Sequence, residues 1–331
     1  MLSTLIIGCG NIAGGFDADR PPGALPLTHA GAFRRHGGFD IAACVDPDRA
    51  TREAFAARWQ VRKAAESVEA LAAISTSFDV ISICSPNARH AEHLQTAIEL
   101  APRLIFCEKP VTSTAAATAA LVEKCQAAGV LLAVNYTRRW APDIVALADE
   151  LARGEWGAVR SAVGTYTKGV LHNGGHLIDL LHFLLGPMAL TAAGAATFDH
   201  WDDDPSVPAL LVTQTGIPVH LAVGDARDYA LFELALVTER GEIAMRDGGL
   251  GWTVREAGAS AAFAGYRTLG AHGVRPGRYD EAMLAAAGNI ADALAHGAPL
   301  ASTGRNALEA QRLCEEISNA GRARSTDARI L

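Results

Sequence analysis

Residues 2–13 read LSTLIIGCGNIA, an apolar run of strand length that stops on Gly8 and continues as G-x-G-x-x-A. A short β-branched run closed by glycine reads as a buried strand. The glycine pattern that follows predicts a turn into a helix, the arrangement that brings a dinucleotide pyrophosphate to a helix start. Gly8 permits the tight turn, Gly10 lets the backbone approach the phosphates, and Ala13 keeps the helix close to the sheet. Asn11 and Ile12 lie at that helix start, where N–H groups point at an anion.

Outward from this stretch the same form repeats. FDIAACVD (39–46), DVISICS (79–85), RLIFCE (103–108) and VLLAVNY (130–136) are apolar runs separated by helical stretches such as DRATREAFAARWQ (48–60) and STAAATAALVEKCQAAG (113–129). Strands buried on both faces and alternating with helices predict a parallel, doubly wound sheet of the Rossmann type. Ligands of such sheets gather at the carboxyl ends of the strands. Asp46 ends the second run and is placed to accept from the adenosine ribose hydroxyls. It stands 36 residues after Gly10, and the spacing is stretched by a Pro- and Gly-rich insertion, FDADRPPGALPLT (16–28). Pro47 and Asp48 follow it with no basic residue, so NAD is expected rather than NADP. Ser85 and Asn87 end the third run as small polar groups for ribose or pyrophosphate, with His90 and His93 expected as polar residues at the start of the next helix. Glu108 and Lys109 end the fourth, which puts a cation where the nicotinamide end of the cofactor should lie.

After NYTRRWAP (135–142) the pattern changes. GAVRSAVGTYTKG, ALTAAGAATF, PALLVTQT, PVHLAVGD, YALFELALVTE and GEIAMRD are strand-like runs between Gly, Pro and Asp turns, which suggests antiparallel pairing. Two helices, over 279–297 and 302–321, follow them. The expected division is a dinucleotide-binding domain over 1–136 and an α/β domain over 137–331.

Composition bounds the function. Of 331 residues half are apolar and a fifth charged, and the net charge of −7 argues against nucleic acid or an anionic membrane as partner. Six cysteines stand without a C-x-x-C pair, so a zinc knot or dithiol motif is not expected. The first ten residues, MLSTLIIGCG, lack a basic start and their apolar run is short for a signal peptide, so a cytoplasmic location is expected.

GCGNIAGG, SPNARHAEH, CEKP and GGHLIDLLHFLLG together resemble the Gfo/Idh/MocA oxidoreductases, the family of glucose–fructose oxidoreductase and inositol 2-dehydrogenase, over essentially the whole chain. The resemblance implies a Rossmann domain joined to an α/β domain with a large, mostly antiparallel open sheet. It implies NAD(P)-linked chemistry on a hydroxyl-bearing carbon of a sugar, cyclitol or related polyol. It further implies Lys109 and His176 as catalytic residues, and a homodimer or homotetramer formed through the open sheet.

The segment LHNGGHLIDLLH (171–182) must then be read in detail. His172 and His176 are spaced i, i+4, yet Asn-Gly-Gly between them argues against a continuous helix and against a metal site. Asn173 or Gly174 is expected as the cap of a helix from Leu177 to Leu185, with His176 and Asp179 on the side opposite its apolar stripe. Asp179 could orient the His176 imidazole. Many family members carry an acid four residues before the histidine, where this chain has His172. Substrate contacts are therefore expected from His172 and Asn173, with Lys168 as an extra cation. A dinucleotide-binding sensor without turnover is the alternative on the same fold.

Overall fold

The computed structural model describes residues 1–21, 23–72 and 77–327. They form two compact units, Met1–Trp140 with Asp280–Leu308, and Ala141–Tyr279 with Glu309–Leu331.

In the first unit the strands β1 (Leu2–Ile7), β2 (Phe39–Val45), β3 (Lys63–Ala65), β4 (Val80–Ile83), β5 (Leu104–Cys107) and β6 (Leu131–Val134) make one parallel sheet in the order β3-β2-β1-β4-β5-β6. This is the doubly wound order, with a crevice at the carboxyl ends of β1 and β4 where the chain reverses direction. Leu5, Ile6, Ile7, Ile81, Ile83 and Phe106 are completely or almost completely buried, as strands covered on both faces require.

The insertion 16–28 interrupts a helix without ending it. Gly14 N and Gly15 N donate to the Gly10 carbonyl, forming a first turn. The helix α1 (His29–His36) resumes that turn, because His29 N donates to Ile12 O and Ala30 N to Ala13 O. The looped-out segment is pinned by Asp17, buried, which accepts from Leu27 N at 2.9 Å and from Thr28 N at 3.0 Å and Thr28 Oγ1 at 2.5 Å. The turn after Gly10 and the helix behind the insertion are thus parts of one split helix, and its first N–H groups stay at the crevice.

In the second unit α2 (Pro142–Ala152) precedes β7 (Val159–Tyr166), and α3 (Gly175–Leu185) follows it. The remaining strands are β8 (Met188–Ala193), β9 (Ala209–Thr213), β10 (Pro218–Val223), β11 (Phe232–Thr238), β12 (Gly241–Arg246), β13 (Gly251–Ala259), β14 (Arg267–Leu269) and β15 (Gly273–Pro276). They build a nine-stranded sheet in the order β14-β13-β12-β11-β7-β10-β9-β8, with β15 on β13. All pairs are antiparallel except β7 with β10. One face packs on helices: Leu177 of α3 lies over Gly164, where a Cβ would stand 2.6 Å from its side chain.

The segment 171–182 departs from its expected form. Residues Gly169–Gly174 form one π-helical turn that runs directly into α3, and Gly174 (φ −57, ψ −35) is helical rather than a cap. Two glycines did not break the helix because Gly174 fits under Tyr166, where a Cβ would lie 2.9 Å from the ring. The apolar side Leu177, Ile178 and Leu181 is buried as expected.

Candidate active site

The first unit supplies a nucleotide cleft. Gly8 takes φ +89, and a Cβ there would meet Ser85 N at 2.5 Å. Nothing lies within 4 Å of a Cβ built on Gly10, which leaves room for a pyrophosphate over the Asn11–Ile12 turn. Asp46 is fixed at the end of β2: its Oδ2 accepts from Cys9 N at 2.8 Å and its Oδ1 from Asp48 N at 2.9 Å. Each carboxylate oxygen retains a further acceptor site for a ribose hydroxyl. Gly8, Asp46, Pro47, Val68, Ser85 and Pro86 line a cleft of about 310 Å³ at this end of the sheet. Glu66 and Glu69 add negative charge to its rim. These residues fit a nicotinamide dinucleotide, with a carboxylate for the ribose and a bare backbone for the phosphates.

Ser85 is buried, and its Oγ lies 2.8 Å from His93 Nδ1. Asn87 sits beyond it, exposed, on a 3-10 turn (Asn87–Arg89), outside the lining of the cleft. His90 is completely buried and ties two strand ends together, with Nδ1 2.7 Å from Pro110 O and Nε2 2.8 Å from Ser85 O. It opens the helix His90–Glu99, as the sequence suggested, and there serves as a structural clasp.

Glu108 and Lys109 follow β5, and the Lys109–Pro110 peptide is cis. The Glu108 carboxylate is turned into the unit. Its Oε1 lies 2.9 Å from His29 Nε2 and accepts from Asn135 Nδ2 at 2.6 Å, and its Oε2 accepts from Lys109 N at 3.3 Å. His29, completely buried, continues the chain to Ser82 Oγ at 2.7 Å. Burial by itself pushes the His29 imidazole down, but the neighbouring Cys84 and Glu108 outweigh it and hold it up at about 10. Burial pushes Glu108 up; hydrogen bonds and charge from His29, with Asn135, more than offset this and hold its carboxyl below the ordinary range. Sequence reasoning passed over His29, Asn135 and Ser82. The signal was one histidine opening an otherwise apolar helix face.

The second unit holds the histidine segment. Lys168 has a left-handed backbone (φ 65) and shares a cleft of about 330 Å³ with Asn173, Leu231, Phe232, Glu233 and Asp247. The Nδ1 of His172 lies 2.7 Å from Asp204 Oδ2, and its ring stacks on Trp201 with centroids 4.8 Å apart. His176, half-buried, is in the first turn of α3, and Asp179 one turn later is 1% exposed. Among the described residues no group of three or more His, Cys, Asp or Glu side chains could hold a metal ion. Among them, too, no helix is long and apolar enough to cross a membrane.

Residues 2–136 match the family model of the Gfo/Idh/MocA oxidoreductases, described as an NAD-binding Rossmann fold. The match is confined to that nucleotide-binding stretch, where the chain is similar to this family. It is 25% identical over 216 residues to a D-glucoside 3-dehydrogenase of Escherichia coli, covering 60% of this chain and 58% of the relative. It is 26% identical over 243 residues to an inositol 2-dehydrogenase of Rhizobium meliloti, covering 67% and 65%. The matches span between about half and two thirds of these curated relatives. A levoglucosan dehydrogenase in complex with NADH and levoglucosan has the same fold, with a TM-score of 0.80 at 15% identity over 98% of each chain.

Proposed function

We propose that this protein is an NAD-dependent oxidoreductase that moves a hydride between nicotinamide and a hydroxyl-bearing carbon of a sugar, cyclitol, polyol or nucleotide-sugar. The observation that carries this reading is the Rossmann crevice with Gly8, Gly10 and Asp46 at its strand ends and Glu108-Lys109 at the end of β5. Bound NAD would supply the hydride acceptor. In the oxidation direction His176 takes the hydroxyl proton and Lys109 donates to the same oxygen as negative charge gathers there, leaving a carbonyl. Lys168 and Asn173 contact substrate hydroxyls, and His172 contributes a ring nitrogen. The relatives support the class of substrate: one is named for a glucoside, one for inositol and one carries levoglucosan. The experiment is a panel of sugars, cyclitols and nucleotide-sugars, followed by the change in NADH absorbance.

NAD is the expected coenzyme because Asp46, Glu66 and Glu69 would all face a 2′-phosphate. Of the two arginines that follow Asp46, Arg49 is paired with Glu53, and Arg52 donates to the Asp46 carbonyl. NADPH is expected to bind at least about tenfold more weakly than NADH, since like charges brought together cost several kcal/mol. Fluorescence titration of both coenzymes checks this, and Asp46→Ser should narrow the gap.

The open face of the large sheet supports a homodimer or homotetramer. Val163, Leu210, Val212 and Val237 are exposed on it, and the register aligns Val163 with His220 and His220 with Leu210 across three strands. Exposed apolar residues grouped in this way around His220 fit an interaction surface. Light scattering is expected to report a dimer or tetramer that Val163→Lys with Leu210→Lys reduces to monomer. A cytoplasmic location completes the reading.

A further inference from the structure

Five consecutive backbone N–H groups of the second unit, from residue 168 to 172, donate into a single loop. Lys168 N donates to Asp199 Oδ2, Gly169 N to Ser206 Oγ and Val170 N to Pro205 O, each at 2.9 Å. Leu171 N donates to Asp204 Oδ1 and His172 N to Asp204 Oδ2, again at 2.9 Å. The first N–H groups of a helix have no partner within it. Here residues 199–206 provide those partners from outside.

Asp204 also reaches a side chain. Its Oδ2 lies 2.7 Å from His172 Nδ1, and the carboxylate is 4% exposed. The ring so held stacks on Trp201, which is half exposed. Only glycine fits beside this carboxylate, because a Cβ on Gly169 would stand 2.1 Å from Asp204 Oδ2.

We propose that Asp204 is a positioning residue of the active site: it fixes the turn Gly169–Gly174 and sets the tautomer of His172. This rests on the roles of His172 and His176 given above. A carboxylate only accepts, so the ring nitrogen facing it carries the proton. In the neutral ring Nε2 is then the acceptor, and position 172 reads a substrate hydroxyl as a hydrogen-bond donor. The turn runs unbroken into α3, so slack at 171–172 is passed to His176 four residues on. A displacement of about 1 Å at a reacting group costs on the order of 10²-fold in rate.

The test compares the full-length wild type with Asp204→Asn and His172→Gln, using isotope-labelled histidine and NMR of the ring nitrogens. NADH affinity and turnover on the best substrate of the panel are measured beside it. The wild type should show one histidine, absent in His172→Gln, as the Nδ1–H tautomer. Asp204→Asn should shift that signal and lower kcat about 10²-fold, with NADH affinity unchanged within about twofold. An Nε2–H tautomer in the wild type, or a signal indifferent to Asp204→Asn, overturns the proposal. So does a shifted tautomer with kcat unchanged. If Asp204→Asn does not fold, the wild-type tautomer decides. A shifted tautomer in a protein with no turnover on any substrate keeps Asp204 as the residue that sets His172, and removes the catalytic reading instead.

Discussion

Lys109→Met is expected to lower turnover by about 10²–10³-fold or more while NADH affinity changes by less than about threefold. Methionine keeps the length and apolar stem of lysine and removes the ammonium. Loss of one donor aimed at developing negative charge has about that cost in other enzymes. Coenzyme binding should survive because the cleft at Gly8, Asp46, Pro47 and Ser85 does not use the lysine side chain. Saturating kinetics and fluorescence titration separate the two effects. Activity retained within tenfold would take Lys109 out of the chemistry.

His29→Leu is expected to destabilise the protein by about 3–5 kcal/mol, the cost of leaving one member of a buried charge pair without its partner. His29 is completely buried, and Glu108 beside Lys109 keeps Asn135 and the Lys109 amide as hydrogen-bond partners once it is gone. The double variant His29→Leu with Glu108→Gln should recover part of the loss, because no charge is then left buried. The same pair sets a pH dependence. The folded pKa of His29, about 10, lies above its unfolded value of about 6.5, so its contribution is complete below that value and is lost as pH rises through 10. Glu108 is depressed, so its contribution is present above the ordinary glutamate value and is lost as pH falls through its folded one. Denaturation midpoints across this range should therefore fall at both ends, and the alkaline fall should be absent in the double variant.

The nucleotide unit is legible in the sequence because its signals are local. Three of the five apolar runs there end within one residue of their strands and the other two within two residues, and each strand end that matters closes on Gly, Asp, Ser or Glu. The short β3, KAA, has no run of apolar residues to announce it. The split helix was hidden by its insertion, since only the bonds from His29 and Ala30 back to Ile12 and Ala13 show that one helix continues. In the second sheet β7 to β12 were legible as strands, but β13 to β15 were not, and neither was the parallel pair of β7 with β10, because alanine blurs the alternation that fixes register. Long-range partners were out of reach altogether. Asp204 lies 32 residues from His172 and His29 lies 79 residues from Glu108, and neither pair has a spacing that betrays it. The acid expected before His176 is missing at position 172, and the structure supplies a carboxylate there from a separate loop.

The most direct test is the NADH-linked panel run on wild type and Lys109→Met side by side. The account predicts NADH formed or consumed with at least one sugar, cyclitol, polyol or nucleotide-sugar by the wild type, and almost none by the variant, although both bind NADH. Tight NADH binding by the wild type with no absorbance change on any member of the panel would contradict it, and would make the chain a dinucleotide sensor on an oxidoreductase fold.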